Sequence, residues 1–171
     1  MSDIRNYVLH HSGEKMSTLN DFQHFSSIKN TTRVRYGNKF DLVYHFVVCG
    51  SGKIFKGQKE GEVCPHCGVD KNEGIINNWN SLGICCVGNF DVETMPMTQF
   101  NSLVGLLKRL NSKYGIGEES IFKHSSLVST ACPGMNYPFE SIIREVYMEP
   151  KIYPDVSNED WFYKAVKFCK D

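Results

Sequence analysis

The feature that most constrains the fold is the segment SLGICCVGNF at residues 81–90, a near-continuous apolar run. Its apolar residues do not alternate with polar ones, as they would in a strand with one face in water. Such a run is typical of a strand that is buried on both faces, with a layer of structure on each side of its sheet. The sequence therefore predicts a central strand in an α/β domain.

Further strands and helices are predicted on both sides of this run. Short apolar segments predict strands at residues 6–9, 42–49 and 121–123, with 53–56 as the hairpin partner of the second. Apolar residues at helical spacing predict helices at residues 17–30 with Ser17 as the cap, at 96–114 before two glycines, and at 139–146. Residues 30–39 and 57–80 are polar or glycine-rich and predict loops. We predict one domain at residues 1–147, a central mixed β-sheet flanked by α-helices.

Length and charge exclude several classes of protein. A chain of 171 residues suits one domain, and 19 basic residues balance 19 acidic ones. Zero net charge argues against attraction to nucleic acid or to an anionic bilayer, so neither is predicted as a partner. No apolar run approaches the roughly 18 residues that a membrane span needs. The first residues lack a basic stretch followed by an apolar core, which predicts cytoplasmic synthesis without a signal peptide.

Two histidines and one cysteine form a candidate metal site. His10 and His124 each follow a predicted strand, and strand ends are where sheets usually hold ligands. Cys132 follows eight residues after His124, within Ala-Cys-Pro-Gly. Two imidazoles and a thiolate can hold a catalytic Zn²⁺ with its fourth position open to water, whose pKa falls to about 7. The alternative is two hydrogen-bonded histidines and a buried cysteine.

A second cysteine pair suggests other possibilities. The chain has seven cysteines, and without a secretion signal reduced thiols are favoured over a disulfide framework. Cys64 and Cys67, in Cys-Pro-His-Cys, look like half of a zinc knuckle, but no second Cys-x2-Cys completes it. A structural zinc or a labile disulfide at this pair stays open as an alternative.

Four blocks in order resemble the type 2 N-acetylmuramoyl-L-alanine amidases, which include phage lysozyme-type amidases and animal peptidoglycan recognition proteins. The blocks are YVLHHS at residues 7–12, FDLVYHFVVCGSGKIFKG at 40–57, NSLGICCVGNFD at 80–91 and KHSSLVSTACPG at 123–134. They cover about residues 5–147. The resemblance implies the amidase fold with a zinc site in a surface groove, in which His10, His124 and Cys132 bind one Zn²⁺.

The resemblance also implies roles for three other residues. Tyr44 matches a tyrosine whose hydroxyl lies near the zinc water, and Thr130 matches a site that helps to stabilise the intermediate. His66 falls in a loop where many relatives carry a histidine that faces the substrate. Some relatives place a glutamate in the central strand as general base, but residues 84–87 read Ile-Cys-Cys-Val, so the base is unassigned.

The implied function is hydrolysis of the amide between N-acetylmuramic acid and L-alanine in bacterial peptidoglycan. A phage or prophage endolysin, released to lyse the cell wall, fits a chain without a signal peptide, and a fragment-recycling enzyme is disfavoured by the missing glutamate. One alternative is a recognition module that binds peptidoglycan without cutting it, although such relatives typically lack the cysteine ligand. Another is a zinc-stabilised interaction domain that inhibits a partner polymerase, as some phage amidases do.

The last residues, 148–171, differ in sequence pattern from the rest of the chain. Residues 148–171 predict a linker and a C-terminal helix that resembles the opening of an S-layer homology motif. This implies binding of a wall polymer through the tail. The alternative is an ordinary helix that packs on the domain.

Overall fold

A computed structural model describes residues 3–68 and 76–148. Five strands form one sheet in the order β3-β2-β4-β1-β5. The strands are β1 (Asn6–His11), β2 (Phe46–Val48), β3 (Ile54–Lys56), β4 (Ser81–Cys86) and β5 (Ile121–Lys123). Neighbouring strands are parallel except β3, which pairs antiparallel with β2. The predicted mixed sheet is confirmed, and β4 lies at its centre with every residue buried.

Four α-helices accompany the sheet. They are α1 (Asp21–Tyr36), α2 (Met97–Tyr114), α3 (His124–Leu127) and α4 (Phe139–Tyr147). The prediction for α2 is confirmed: Pro96 precedes it, and Gly115 ends it in the left-handed conformation with its N–H donating to Asn111. Leu103, Leu107 and Leu110 are buried along one side of this helix.

The predicted bounds of the first helix were wrong. Asn20, not Ser17, is the cap, because its side chain accepts from the Gln23 N–H while the Gln23 side chain accepts from the Asn20 N–H, each at 3.0 Å. This reciprocal capping box satisfies two backbone donors at the helix start. The helix also continues through the segment predicted as a loop. There the buried Thr32 hydroxyl accepts from the Val43 N–H at 3.2 Å and joins the added turns to the segment that precedes β2.

The two faces of the sheet have different surroundings. Side chains alternate along β1, so Tyr7 and Leu9 face α2 and α4 in the large apolar cluster. Val8 and His10 face the other way. On that side lie two smaller apolar clusters, one with Ile28 of α1 and one with Leu127 of α3. The histidines of the next section lie on this second face, which we call the histidine face.

The predicted tail, apart from Met148, lies outside the described residues. In the described part of the chain, no helix has the length and apolar character that crossing a membrane requires.

Candidate metal centre

Two neighbouring parallel strands bring His10 and His124 together. Leu9 of β1 pairs with Lys123 of β5, so His10 stands level with the residue that follows Lys123. The two imidazole rings have centroids 4.4 Å apart. His10 is 1% exposed, and His124 is half-buried at the start of α3. The carboxyl ends of these strands thus place both predicted ligands on one rim of the sheet.

Cys132 completes the predicted trio. Its Sγ lies 3.8 Å from Nδ1 of His10 and accepts from the backbone N–H of His11 at 3.4 Å. The ligand atoms of His10, His124 and Cys132 all lie within 4.8 Å of one another. Zinc bonds of about 2.0–2.3 Å at tetrahedral angles separate nitrogen from sulfur by about 3.6 Å. The donor set and the 3.8 Å separation between Nδ1 of His10 and Sγ of Cys132 fit zinc.

The pKa values of these groups agree with ligand roles. Burial and the neighbouring histidines lower the pKa of His10 well below its usual range, and burial lowers that of His124. Both imidazoles are therefore neutral at pH 7, which is the form that binds metal. Burial raises the pKa of the Cys132 thiol to about 11, although the N–H of His11 opposes this. Metal binding at this site must therefore release the thiol proton.

The loop that carries Cys132 is held against the start of α3 and against the turn after β4. The N–H of Ser125 donates to the carbonyl of Cys132 at 2.7 Å, and the N–H of Met135 donates to the Asp91 carboxylate at 3.3 Å. Gly134 has φ +102°, and a Cβ there would lie 2.5 Å from the Phe90 carbonyl carbon. A glycine is therefore required where the loop crosses Phe90. The sequence analysis gave no signal for this contact of Asp91 with the loop.

Tyr44 lies beside His10. Its ring centroid is 5.1 Å from that of His10. The side chain also lines a cavity of about 100 Å³ whose other lining residues are Ser12, Glu14, Ser27, Ile28, Thr31 and Val43. Burial raises the pKa of Tyr44 well above its usual value, so the hydroxyl keeps its proton and can donate a hydrogen bond.

Thr130 is exposed and lies beside the cysteine ligand. Its Oγ1 accepts from the backbone N–H of Cys132 at 3.3 Å. This contact holds the hydroxyl next to Cys132, and the stabilising role that the resemblance implies for Thr130 stays a prediction.

His66, for which the resemblance implies a substrate-facing role, has protein groups within hydrogen-bond distance of both ring nitrogens. Its side chain is buried, with 6% of the residue exposed, and its Nδ1 lies 3.1 Å from Nε2 of His10. Its Nε2 lies 3.2 Å from the Ser81 hydroxyl and 3.4 Å from the Ser81 carbonyl. Both ring nitrogens therefore face protein groups behind the metal centre.

The cysteine pair next to His66 does not form a metal site. The Cys64 thiol donates to the Leu42 carbonyl at 3.4 Å, whereas that of Cys67 lies 3.5 Å from Oδ1 of Asn78. Across residues 3–68 and 76–148, the His10 trio is the one group of three or more such residues arranged to hold a metal. The described residues therefore offer no further ligands that could complete a zinc knuckle with Cys64 and Cys67.

Comparison with known proteins identifies the family. The profile described as N-acetylmuramoyl-L-alanine amidase matches residues 1–135. The chain belongs to this family.

Curated relatives include both classes that the resemblance named. Peptidoglycan-recognition protein SC2 of Drosophila melanogaster is 30% identical over 99 residues, and the endolysin of Escherichia phage T7 is 32% identical over 103. Each match covers 56% of this chain. It covers 49% of the Drosophila protein and 61% of the T7 protein, so the chain spans only part of these relatives.

Solved structures have the same fold. The N-acetylmuramoyl-L-alanine amidase LysC from Clostridium intestinale URNW superposes with a TM-score of 0.68 at 26% identity and covers 86% of this chain and 87% of its own. Drosophila PGRP-LB gives a TM-score of 0.66 at 21% identity, with 83% and 81% covered. These likenesses confirm the predicted amidase-type fold.

Proposed function

We propose that this chain hydrolyses the amide between the lactyl group of N-acetylmuramic acid and L-alanine in peptidoglycan, with one zinc ion held by His10, His124 and Cys132. The observation that carries the proposal is the convergence of these three ligand atoms within 4.8 Å at one rim of the sheet. The family match supports the reaction type. The Clostridium relative named as an amidase and the T7 relative named as an endolysin support the substrate.

The chemistry explains why such a site suits an amide. An amide carbonyl is a poor electrophile, and zinc, when bound, polarises such a carbonyl and lowers the pKa of a water molecule. The chain supplies two neutral imidazoles and a thiol from elements that are fixed by the sheet and by the Phe90 contact. Three protein ligands leave the fourth tetrahedral position for the reactants.

Tyr44 and Thr130 are proposed to stabilise the oxyanion that forms during hydrolysis. Tyr44 keeps its proton at neutral pH and stands beside His10, so its hydroxyl can donate to developing negative charge. The Thr130 oxygen is held next to Cys132 by the backbone contact. In strand β4, Cys85 and Cys86 pair with His10 and His11, and the strand contains no carboxylate. The general base therefore stays unassigned.

Mass spectrometry of digested cell walls tests the proposed reaction. We expect new L-alanine amino termini and no new reducing sugar ends, with the products lost after chelation and recovered on addition of zinc. Cys132→Ser should abolish them. Cys49→Ser is the matched control, because it replaces another buried thiol, one that donates to the Asp21 carbonyl at 3.8 Å and does not belong to the proposed ligand trio. New reducing ends would mean a glycosidase and would overturn the proposal.

The match to a peptidoglycan-recognition protein supports a second candidate, a module that binds peptidoglycan without cutting it. Both candidates predict that the chain sediments with purified walls. Only the hydrolase predicts loss of turbidity and new amino termini. Binding without either product, in zinc-loaded protein, would favour the recognition module.

A further inference from the structure

The histidine face contains a row of three histidine rings that leads away from the metal centre. The His10 and His66 rings meet edge to face with centroids 5.3 Å apart, and the His66 and His45 rings follow at 5.9 Å. His66 is the middle member, and it is the one that touches a proposed zinc ligand. Its hydrogen bonds decide which nitrogen of His10 carries a proton.

The direction of these hydrogen bonds follows from Ser81. The Ser81 hydroxyl donates its one proton to the Asn77 carbonyl, so it cannot also donate to His66. Nε2 of His66, which lies 3.2 Å from that hydroxyl and 3.4 Å from the Ser81 carbonyl, must therefore carry the proton and donate. In neutral imidazole one nitrogen donates and the other accepts, which leaves Nδ1 of His66 as an acceptor.

The tautomer of His66 in turn determines the tautomer of the proposed metal ligand His10. Nδ1 of His66 lies 3.1 Å from Nε2 of His10, so Nε2 of His10 carries a proton and donates it to His66. The lone pair of His10 then lies on Nδ1, the atom 3.8 Å from the Cys132 sulfur. We infer that His66 is a positioning residue that holds His10 in the Nε2–H tautomer with Nδ1 presented to the metal. This inference rests on the proposed function, because it gives His66 a task at the proposed zinc site.

The surroundings of His66 hold its ring in this orientation. Gly83 of β4 lies directly beneath it, and a Cβ there would be 2.5 Å from Cγ of His66. His45 closes the far side and has no proton to offer His66, since its Nδ1 accepts from the Gly83 N–H at 3.0 Å and its Nε2 donates to the Glu62 carbonyl at 3.1 Å. The glycine within the apolar run thus makes room for the ring that orients the metal ligand.

Zinc affinity of the full chain, measured against a competing chelator, tests the inference. Leucine and asparagine have nearly the same shape, but Oδ1 of asparagine can accept from His10 where Nδ1 of His66 does. We expect His66→Leu to weaken zinc binding by roughly 10–100-fold, the usual effect of losing a partner of a ligating histidine. His66→Asn should recover much of that loss. Folded His66→Leu protein with wild-type zinc affinity would overturn the inference.

His24→Leu is the matched control for removal of a buried histidine. His24 is 2% exposed and contacts Glu14 and the Met16 carbonyl, each at 3.2 Å, rather than the zinc ligands. Its zinc affinity should equal that of the wild type. An equal loss in His24→Leu and His66→Leu would assign the effect to general destabilisation and contradict the inference.

Nitrogen-15 NMR of the metal-free wild-type chain identifies the protonated nitrogen of each histidine directly. This test does not depend on whether any variant folds. We expect His10 and His66 each to be protonated on Nε2. A His10 protonated on Nδ1 would overturn the inference whatever the zinc results. Failure of wild-type protein to bind zinc would instead remove the proposed function, while the tautomers would still report whether the His66 contact exists.

Discussion

The two faces of the sheet are built from the same strands but have opposite chemistry. On the face against α2 and α4, β1 presents Tyr7 and Leu9 to one large apolar cluster. On the histidine face, β1 presents Val8 and His10, and the apolar residues form two small clusters on the same side as the histidine rings. The first face buries hydrocarbon, whereas the second buries polar rings that need hydrogen-bond partners.

Because of this contrast, we expect one face of the sheet to contribute mainly to stability and the other to metal binding. Burial of apolar surface is non-directional and tolerates many residue choices, so the α2 face can stabilise the sheet without a unique arrangement. The histidine face depends on specific donors and acceptors, such as those that join His10, His66 and Ser81. We therefore expect substitutions on the first face to lower stability, and those on the second to lower metal binding and activity.

The largest effect is expected for His124→Ala. Loss of one of three zinc ligands should lower zinc affinity and wall hydrolysis by orders of magnitude. The metal-free protein should lose no more than about 1 kcal/mol of unfolding free energy, because the ring is only half-buried. Zinc titration and denaturant unfolding check both parts. If the variant retained wild-type zinc affinity, metal binding could not be assigned to the histidine face, and the contrast between the two faces would be wrong.

Leu107→Ala is the corresponding change on the α2 face. Leu107 is fully buried in the large cluster, and truncation of such a leucine costs about 2–5 kcal/mol of unfolding free energy. Zinc affinity of the folded variant should be unchanged. Denaturant unfolding of the metal-free protein measures the loss, and reduced zinc affinity under native conditions would show that the two faces are coupled.

Tyr44→Phe removes a hydroxyl and keeps the ring. Loss of one oxyanion donor lowers the rate by about 10²–10³, or about 2.7–4 kcal/mol. Zinc affinity should not change, since the proposed ligands are untouched. Steady-state turnover of a soluble muropeptide measures the effect, and unaltered turnover would remove Tyr44 from the proposed chemistry.

The smallest effect is expected at Glu60, which belongs neither to the apolar clusters nor to the candidate metal site. Its carboxylate accepts from Lys113 and from the Tyr114 hydroxyl, each at 2.7 Å. Burial alone would raise the Glu60 pKa, but these hydrogen bonds outweigh it and hold the pKa below its usual value.

A depressed carboxylate pKa stabilises the fold above the unfolded pKa of about 4.3 and ceases to do so as pH falls through the folded value. Glu60→Gln should therefore cost a little stability at pH 7 and less at pH 3. Unfolding curves at the two pH values check the sign. An equal cost at both would show that charge is not involved.

The sequence was sufficient for some features because they depend on local pattern. The leucine spacing of α2 and the glycine after it predicted that helix, and the strand ends predicted where His10 and His124 lie. The start of the first helix was predicted wrongly because Ser17 has a residue type that is typical of a cap. The capping box instead forms three residues later, between Asn20 and Gln23.

Features that depend on distant contacts could not be predicted in this way. Asp91 binds the loop at Met135, 44 residues later, and His66 contacts His10 across 56 residues. Neither pair has a fixed sequence spacing that would reveal it. The one local signal was Gly83, a glycine inside a buried apolar run, where a close approach by another group is expected.

Zinc K-edge X-ray absorption of the zinc-loaded chain tests the central claim most directly, because it counts the atoms bound to the metal. We predict one sulfur at about 2.3 Å, with the remaining ligands nitrogen or oxygen at about 2.0–2.2 Å. Cys132→Ser should remove the sulfur signal. A spectrum with two or more sulfurs, or with none, would contradict a centre built from His10, His124 and Cys132.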